Sequence, residues 1–356
     1  MGGRNRIPVT RPDEPAAEAS TRYSLRGCEI MIDKQGPAVR EVTDQRGVDQ
    51  LIDVATQFYL HGRTQVEIAH DLGLDPSTVS RYLKRAREEG IVHVEIRPPR
   101  RRHLELGREI AERFDVSRAV VVPDEKDEGV SLASVAAEYV GSFLRNGMHI
   151  GVSWGRTVCS VVRHMQPGLV SRLTISQIAG GLDESSPGIQ GHELVRHLAE
   201  LYPESRVQYL HAPMIVDSLE IRNALLSDRS IQASLAVAAR AEMAIVGVGT
   251  LEAEATVVRG QLRREDRTRL LAVGAVGSLN TRFFDAHGQP AGDLDERTIA
   301  MSWEDLRAIP TVIAVAAGPK KAAAIAGALR TGAVDVLVTD EVTASLMLDR
   351  ALARRR

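Results

Sequence analysis

Two short hydroxyls and two cations recur at helical spacing in one stretch of the chain. Ser77, Ser80, Arg81 and Lys84 lie at i, i+3, i+4 and i+7, so a helix turning about 100° per residue places them in one stripe. The apolar residues of the stretch fall on the opposite side: Val79, Tyr82, Leu83 and Ala86. Hydroxyls allow close approach to bases or phosphates, while arginine supplies a bidentate fork and lysine a point charge. The stripe predicts a helix that enters a nucleic-acid groove.

The residues around this stripe distinguish a DNA-reading surface from an ordinary solvated helix face. Residues 48–59 carry apolar side chains at helical spacing, and Thr64 with Glu67 forms a capping box that starts a second helix. That helix ends at Gly73, and Asp75-Pro76 restarts the backbone for the third. A short strand, IVHVEI, follows the third helix. Three helices, a tight turn and a trailing strand indicate a winged helix-turn-helix.

Double-stranded DNA is therefore the expected partner of this segment. The stretch from Pro76 to Arg102 contains eight basic and three acidic residues, a local charge of +5 in a chain whose overall charge is -2. Aromatic residues make up only 4% of the chain, which disfavours RNA recognition by base stacking. The residues expected to contact DNA are Thr64, Gln65, Ser77, Thr78, Ser80, Arg81, Lys84 and Arg85.

Length and composition leave room for a second, larger domain. The chain has 356 residues, more than one ordinary core needs, and its 44% hydrophobic and 26% charged residues are close to a globular average. No apolar run approaches the roughly 20 residues that span a bilayer, no secretory leader opens the sequence, and two cysteines supply no disulfide framework. We therefore expect a soluble cytoplasmic protein without a membrane partner.

Beyond Arg118 the chain alternates apolar runs with helical segments. The runs are AVVVP, MHIGVS, LTISQIAGG, VQYLHAP, MAIVGVG, TVIAVAAG and VDVLVTD. This alternation predicts a largely parallel sheet covered by helices on both faces. Glycine-containing turns follow four of the runs: GVSWGRT, QIAGG, GVGT and AAGPKK. Because the carboxyl ends of parallel strands line one crevice, we expect these turns to converge there.

The side chains in these turns suit an anionic, hydroxylated ligand. Gly155-Arg156-Thr157 opens a helix and offers amides, a guanidinium and a hydroxyl, and Gly318-Pro319-Lys320 adds an ammonium group. Phosphate matches these donors, and Gln177, Asp285 and Glu341 are candidates for hydrogen bonds to sugar hydroxyls. Each glycine turn alone is equally typical of an ordinary strand-to-helix connection, so the prediction depends on the turns acting together.

Motifs for metal or cofactor chemistry are incomplete. The histidines His192 and His197 in HELVRH are five residues apart, whereas a zinc-binding helix needs them four apart. Gly247-Val248-Gly249 lacks the third glycine of a dinucleotide fingerprint, and no Walker lysine motif occurs. We therefore expect neither a metal nor a cofactor.

The ordered set of motifs resembles the SorC family of bacterial sugar-responsive transcriptional regulators. The resemblance runs from about Val48 to the C-terminus, through the helix-turn-helix, GVSWGRT, the double glycine, GVGT, AVGAVGSLNTRFFDAHG and AAGPKKAAAIAGALRTGAVDVLVTDEVTASLML. It implies an effector domain related to ribose-phosphate isomerase and glucosamine-phosphate deaminase folds, which binds a sugar or a phosphosugar. It also implies a homodimer or homotetramer on operator DNA.

The resemblance also implies a set of effector-binding positions. Together with the candidates named above, the expected set is Ser153, Trp154, Gly155, Arg156, Thr157, Gln177, Gly180, Gly181, Gly249, Asp285, Lys320 and Glu341. The sequence departs from the family pattern at two places. Ser278 stands where an acidic residue is common, and Ile178-Ala179 replaces Leu-Asn before the double glycine.

These observations predict an α/β protein with four segments and a regulatory function. Residues 1–44 are expected to be a disordered tail with an alternative start at Met31, and residues 45–99 a winged helix-turn-helix. A linker and connecting helix occupy 100–116, and 117–353 form a Rossmann-like sugar-binding and oligomerisation domain. The expected function is a transcriptional regulator, not an enzyme, whose operator binding is controlled by a sugar or phosphosugar. The alternative is a phosphosugar isomerase or deaminase with an appended helix-turn-helix, in which Asp285 and Glu341 serve as acid and base.

Overall fold

The computed structural model describes residues 20–25, 28–33, 45–96, 101–123, 131–168, 170–181, 191–252 and 262–353. The chain divides into two compact units, Met1–Pro98 and Pro99–Arg356. Within the described ranges, no helix has the length and apolar character that crossing a membrane requires.

The described residues of the first unit form three α-helices and a three-stranded antiparallel sheet. Its strands are β1 (Ser20–Leu25), β2 (Cys28–Asp33) and β3 (Val92–Ile96), in the order β1-β2-β3. Its helices are α1 (Gln45–Ala55), which continues as a π-helical turn over Thr56–Leu60, α2 (Gln65–Leu72) and α3 (Pro76–Glu88). The strands β1 and β2 correct the prediction that residues 1–44 form a tail without structure. Each of these strands has only six residues. The strand β2 pairs with the wing strand β3, which lies some sixty residues later in the sequence.

Local signals set the helix boundaries of this unit as the sequence predicts. The Thr64 hydroxyl accepts a hydrogen bond from the Glu67 amide, and the Glu67 carboxylate accepts one from the Thr64 amide, which completes the capping box. Gly73 ends α2 in the left-handed conformation at φ +63°. The Asp75 carboxylate accepts from the Ser77 amide and caps α3, with Pro76 in the first turn.

The core of this unit forms between the three helices. The apolar side of α3 contributes Val79, Leu83 and Ala86, all buried. Val79 and Leu83 pack with Val54 of α1 and Ile68 of α2. Because this side of α3 is buried, its opposite side is left for solvent or a partner.

The second unit is built on a parallel sheet with one antiparallel hairpin. Its strands are β4 (Arg118–Val122), β5 (His149–Val152), β6 (Thr174–Gln177), β7 (Arg206–Gln208), β8 (Met243–Gly249), β9 (Ala275–Leu279), β10 (Arg282–Asp285), β11 (Thr311–Val315) and β12 (Val336–Asp340). Seven are parallel, in the order β4-β12-β11-β8-β5-β6-β7. These seven coincide with the seven predicted apolar runs.

Ten helices of the second unit lie within the described residues. They are α4 (Arg101–Phe114), α5 (Leu132–Gly141), α6 (Arg156–His164), α7 (Gly191–Leu201), α8 (Leu219–Ser227), α9 (Arg229–Ala238), α10 (Arg264–Ala272), α11 (Trp303–Ala308), α12 (Ala322–Arg330) and α13 (Glu341–Ala353). Two large buried apolar clusters involve the sheet, one including α5, α6 and α7 and the other including α4, α11, α12 and α13. The strands are therefore buried on both sides, as their continuous apolar runs predict.

The strand order reverses direction between β5 and β8. From β5 the chain proceeds outward through β6 to β7, and it then returns to β8, on the other side of β5, before adding β11 next to β8. In an open parallel sheet such a switch point leaves a crevice at the carboxyl ends of the two strands. The strands β5 and β8 end at this point.

The hairpin β9–β10, which the sequence analysis did not predict, extends the sheet above β5. Beyond the point where β5 ends, Val248 and Gly249 of β8 pair with Leu279 and Ser278 of β9 instead. The turn of the hairpin is Asn280-Thr281, with φ +46° and +68°. This turn is buried, and it occupies the level of the carboxyl ends of β5 and β6.

Candidate functional site

The outward side of α3 carries the residues expected to contact DNA. Ser77, Ser80, Arg81, Lys84 and Arg85 are exposed, and Thr78 is half-buried between this side and the core side. At the start of α2, Thr64 is exposed and Gln65 is half-buried. The Thr64 hydroxyl is already engaged in the capping box, so its first role is to start the helix.

The three cations of α3 that are expected to contact DNA differ in their partners. Lys84 pairs with Glu88 at 3.6 Å, and Arg85 pairs with Glu89, each one helical turn further along. The Arg81 guanidinium instead donates to the Thr78 hydroxyl at 3.1 Å. Exposed i,i+4 ion pairs are weak and salt-sensitive, so phosphate can replace the glutamates. Arg81 lies nearest the start of the helix among the three cations, where recognition helices contact bases.

In the second unit, a buried hydrogen-bond network builds the base of the switch-point crevice. The Ser153 hydroxyl, directly after β5, donates to the Asn280 side-chain oxygen at 3.0 Å. The Asn280 amide group donates in turn, at 3.1 Å, to the carbonyl of Ile178, the residue that follows β6. The Trp154 indole donates to the Gly180 carbonyl at 2.9 Å. Ser153 and Trp154 therefore fix the ends of β5 and β6 to each other and to the hairpin.

The amino terminus of α6 opens immediately after this network. Gly155 precedes the helix at φ +129°, a conformation that only glycine adopts readily, and no side chain caps the helix there. A Cβ built on Gly155 would have no atom within 4 Å. Uncapped amides and the positive end of the helix dipole face this open space, an arrangement that favours an anion. Arg156 is exposed and Thr157 half-buried in the same turn.

Of the two adjacent lysines after β11, Lys321 reaches the crevice and Lys320 does not. The Lys321 ammonium donates to the Val248 carbonyl, near the carboxyl end of β8, at 3.1 Å. Burial lowers the pKa of Lys321, and the charge of Arg156 lowers it further, which places these two cations in one neighbourhood. The Lys320 side chain is 79% exposed and lies 3.6 Å from Glu252. The sequence analysis named Lys320, whereas in the structure its neighbour Lys321 makes the contact with β8.

The turn that carries the lysines is held by the next strand. The Gly318 amide donates to the Thr343 hydroxyl at 2.8 Å and to the Asp340 carboxylate at 3.1 Å. Asp340 ends β12 and also accepts from the Thr343 amide, at the start of α13. The lysine turn is therefore positioned by a corner between a buried strand and a helix.

Small residues keep the wall of the crevice open beside α6. A Cβ on Gly247 would lie 3.5 Å from Val158 of α6, so this strand position faces that helix. Alternate residues of a strand share a face, which places Gly249 on the same side. A Cβ on Gly249 would lie 2.4 Å from the Ser278 hydroxyl, so the two positions share one small space. Ser278 is thus a polar group next to the crevice.

The double glycine and Gln177 lie deeper. The Gly180 amide donates to the Ile299 carbonyl, and the Gly181 amide donates to the Ala212 carbonyl, both at 2.9 Å. A Cβ on Gly180 would lie 2.6 Å from the carbonyl oxygen of Pro213, which explains the glycine there. Gln177 is buried, and its side-chain amide donates to the Ala179 carbonyl at 2.7 Å. These contacts shape the loop after β6.

The structure gives Asp285 and Glu341 other partners. The Asp285 carboxylate accepts from the His287 and Gln289 amides, and this turn packs on the C-terminal end of α12 at Arg330. The Asp285 backbone also lies beside the middle of that helix, where a Cβ on Gly327 would be 2.9 Å from the Asp285 carbonyl oxygen. Glu341 accepts from the buried His103 imidazole at 2.9 Å. The Asp285 carboxylate is therefore engaged by its own turn and the Glu341 carboxylate by α4, although Glu341 directly follows Asp340, which holds the lysine turn.

The residues of this region differ in how clearly the sequence alone indicates their roles. The Asp285 turn is visible in sequence, since aspartate followed three residues later by glycine is typical of a side-chain-capped turn. Lys321 carries the same charge as its neighbour, and Asn280 has no motif of its own. Among the described residues, no three histidine, cysteine, aspartate or glutamate side chains could together hold a metal ion.

Comparison with known proteins supplies the family. Residues 99–349 match the family model described as "Putative sugar-binding domain", and residues 59–111 match a winged helix-turn-helix. The deoxyribonucleoside regulator of Bacillus subtilis is 31% identical over 303 residues, covering 84% of this chain and 96% of the relative. The erythritol catabolism regulatory protein EryD of Brucella abortus is 29% identical, covering 82% and 93%.

Solved structures agree with this assignment. The full-length sorbitol operon regulator SorC from Klebsiella pneumoniae has a TM-score of 0.64 and 27% identity, covering 85% of this chain and all of that structure. The two family models together match residues of both units, and the full-length match covers most of the chain. The chain belongs to the SorC family of sugar-binding transcriptional regulators.

Proposed function

We propose that this regulator binds a phosphorylated sugar in the switch-point crevice and that occupancy of the crevice controls its grip on operator DNA. The phosphate lies between Lys321, Arg156 and the amino terminus of α6. The basic side of α3 contacts the operator. The protein acts in the cytoplasm as a homodimer or homotetramer, because a regulator of this kind binds paired half-sites.

One observation carries the proposal: the Lys321 ammonium bonds the Val248 carbonyl near the end of β8, where burial and then the charge of Arg156 lower the pKa of Lys321. Two like charges and a helix dipole directed at one space cost free energy in the unliganded protein. A phosphate dianion converts that cost into binding free energy, through charge-assisted hydrogen bonds to both side chains and to the backbone amides. An uncharged sugar lacks this gain.

The rest of the ligand faces polar groups of modest size. Gly247 and Gly249 leave room along β8, and the Ser278 hydroxyl lies beside them. A hydroxyl group both donates and accepts, which suits a polyol or sugar chain. The names of the relatives refer to sorbitol, erythritol and deoxyribonucleosides, which contain polyol or sugar groups. This agrees with a small phosphorylated polyol or sugar as the effector.

A thermal-shift experiment on the full chain tests the proposal. The panel contains ribose 5-phosphate, 2-deoxyribose 5-phosphate, glucose 6-phosphate, sorbitol 6-phosphate and erythritol 4-phosphate, each beside its unphosphorylated parent. A ligand at 100 times its Kd adds about 2.7 kcal/mol to the free energy of unfolding. This raises the Tm of a domain of this size by about 5–10 °C. Equal shifts from the parent compounds, or no shift from any phosphate, would contradict the phosphate site.

Control of DNA binding follows from a difference in affinity between two states. An effector that binds one arrangement of the protein more tightly shifts the population toward it, and operator DNA must then change effector affinity by the same factor. Fluorescence anisotropy with a labelled operator duplex, at one fixed salt concentration, measures this factor in both directions. If the effector leaves operator affinity unchanged, with a factor of one in both titrations, the proposed control of DNA binding is wrong.

The enzymatic alternative requires an acid and a base close to the sugar carbons. The two carboxylates considered for these roles are engaged elsewhere, Asp285 by the amides of its own turn and Glu341 by His103. These contacts favour binding without turnover. Incubation of the full chain with the phosphosugar panel and with glucosamine 6-phosphate distinguishes the two functions, because isomerised product, or ammonia released from the amino sugar, at enzyme-like rates would favour the enzyme.

A further inference from the structure

A hydrogen bond between a buried histidine and a half-buried carboxylate lies outside the crevice and ties the first turn of α4 to the start of α13. The His103 imidazole donates from Nε2 to Glu341 Oε2 at 2.9 Å. The His103 side chain is only 5% exposed and that of Glu341 is 22% exposed. Burying two polar groups costs free energy unless they stay paired, so this contact fixes both side chains.

Glu341 lies between the two residues that hold the lysine turn. Asp340 and Thr343 accept the hydrogen bond of the Gly318 amide, and Glu341 is the first residue of α13. The path from the crevice to α4 therefore has three contacts: Lys321 with the end of β8, Gly318 with the Asp340–Thr343 corner, and Glu341 with His103. All of them lie within the second unit.

The remainder of α4 is fixed to the body of the domain by other contacts. A Cβ on Gly107 would lie 2.5 Å from the Ala119 carbonyl oxygen, so the helix approaches β4 closely at that point. Further along, the Arg113 guanidinium donates to the Leu348 carbonyl at 3.0 Å. His103 precedes both contacts, and it lies in the first turn of α4, the part of the helix next in sequence to the winged helix.

We propose that His103 is the positioning residue that transmits occupancy of the crevice to the first turn of α4. An anion bound at Lys321 stabilises the lysine turn, the turn stabilises the Asp340–Thr343 corner through the Gly318 amide, and Glu341 then holds His103 more firmly. The inference rests on the proposed phosphate site and deepens it by naming the exit from that site toward the DNA-binding unit. A path through space is not evidence of coupling, so a measured response is required.

Hydrogen exchange of the full chain with inorganic phosphate as the probe gives this response. Phosphate is used at ten times its measured Kd, and sodium chloride at equal ionic strength serves as the reference. Amides that exchange by opening of the crevice, such as Gly318 and Cys159, are expected to slow about tenfold. The amides of Glu105, Leu106 and Gly107 in α4 are expected to slow at least about fivefold, the lower range of typical coupling.

Substitutions at His103 separate coupling from binding. In His103→Leu the crevice amides still slow about tenfold in phosphate, while the α4 amides slow less than about twofold. His103→Gln restores most of the α4 response, because its amide group can donate to Glu341. His149→Leu is the matched control: His149 is a half-buried histidine whose ring bonds one hydroxyl, that of Ser176, at the opposite ends of the strands. It should leave both responses intact.

Each result decides between the two proposals. If phosphate slows the crevice amides of the parent protein but not those of α4, the coupling is wrong and the site stands. If His103→Leu keeps the full α4 response, the coupling does not pass through His103 and the inference is overturned. If the crevice amides of the parent protein do not respond to phosphate, the phosphate site itself fails and the inference fails with it. The parent measurement needs no variant, so it remains decisive even if His103→Leu does not fold.

Discussion

Replacing Lys321 by methionine removes the ammonium group from the crevice and keeps a side chain of similar length. In the parent protein this group donates to the Val248 carbonyl, and a phosphate bound at α6 would receive it as a second partner. A hydrogen bond to a charged group contributes about 1.5–3 kcal/mol. Since 1.4 kcal/mol is a factor of ten, Lys321→Met should weaken phosphosugar binding about 10- to 150-fold.

The adjacent lysine supplies a matched control. The Lys320 side chain is 79% exposed and faces Glu252 at 3.6 Å, and an exposed pair of this kind contributes about 1 kcal/mol or less. Lys320→Met should therefore weaken binding less than about fivefold. Isothermal titration calorimetry with the phosphosugar that raises the Tm most measures both variants under the same buffer conditions. Equal losses, or a larger loss in Lys320→Met, would refute the assignment of Lys321 to the phosphate.

The same substitution should affect the stability of the unliganded protein in a pH-dependent way. Burial, and next the charge of Arg156, lower the pKa of Lys321 below its value in the unfolded chain. The unfolded chain therefore binds more protons between the two pKa values, and the parent protein gains stability as the pH rises through them. Lys321→Met lacks this dependence, so its Tm relative to the parent should be higher at pH 7 than at pH 10. A difference in Tm that grows with pH would contradict the lowered pKa.

Further predictions concern the two units separately. Arg81→Ala should weaken operator binding by about 1–3 kcal/mol in fluorescence anisotropy at fixed salt, whereas Arg87→Ala, near the end of α3 and bonded to the Leu83 carbonyl, should lose less; equal losses would reject the assignment of Arg81 to the bases. Gly249→Ala should lower the free energy of unfolding in urea by about 1–3 kcal/mol, because its Cβ lies 2.4 Å from the Ser278 hydroxyl. Adding Ser278→Ala should restore most of this loss, and simply additive losses would disprove the shared space. Thr64→Ala should destabilise α2 by about 1 kcal/mol in hydrogen exchange, and unchanged exchange would argue against the capping box.

Features that depend on residues close in sequence could be predicted well. The capping box needs only Thr64 and Glu67, and the restart of α3 needs only Asp75 and Pro76, so each boundary follows from a few neighbouring residues. The seven parallel strands were predictable for a different reason. Strands buried on both faces consist almost entirely of apolar residues, so their runs are visible without knowledge of their partners.

Features that depend on distant pairing were not predicted. The hairpin β9–β10 turns at Asn280-Thr281, and a threonine at φ +68° departs from the asparagine-glycine pair that marks such turns. Its polar residues are buried only because β5, β6 and β8 bring Ser153 and Ile178 to it. Nothing in residues 275–285 alone indicates these partners. The strands β1 and β2 were missed for the same reason, because β2 pairs with β3 some sixty residues later.

The choice between Lys320 and Lys321 shows the limit of sequence reasoning at a single site. The two side chains have the same chemistry and adjacent positions, so composition, charge and motif spacing cannot separate them. Gly318 at φ +116° turns the chain, and the short helical turn Pro319–Lys321 rotates successive side chains by about 120°. One lysine is thereby directed to the Val248 carbonyl and the other to solvent. The Gly318 amide is held by Asp340 and Thr343, which follow about twenty residues later in the chain. These contacts fix the orientation of the helical turn. The fold therefore determines which of the two lysines reaches the end of β8.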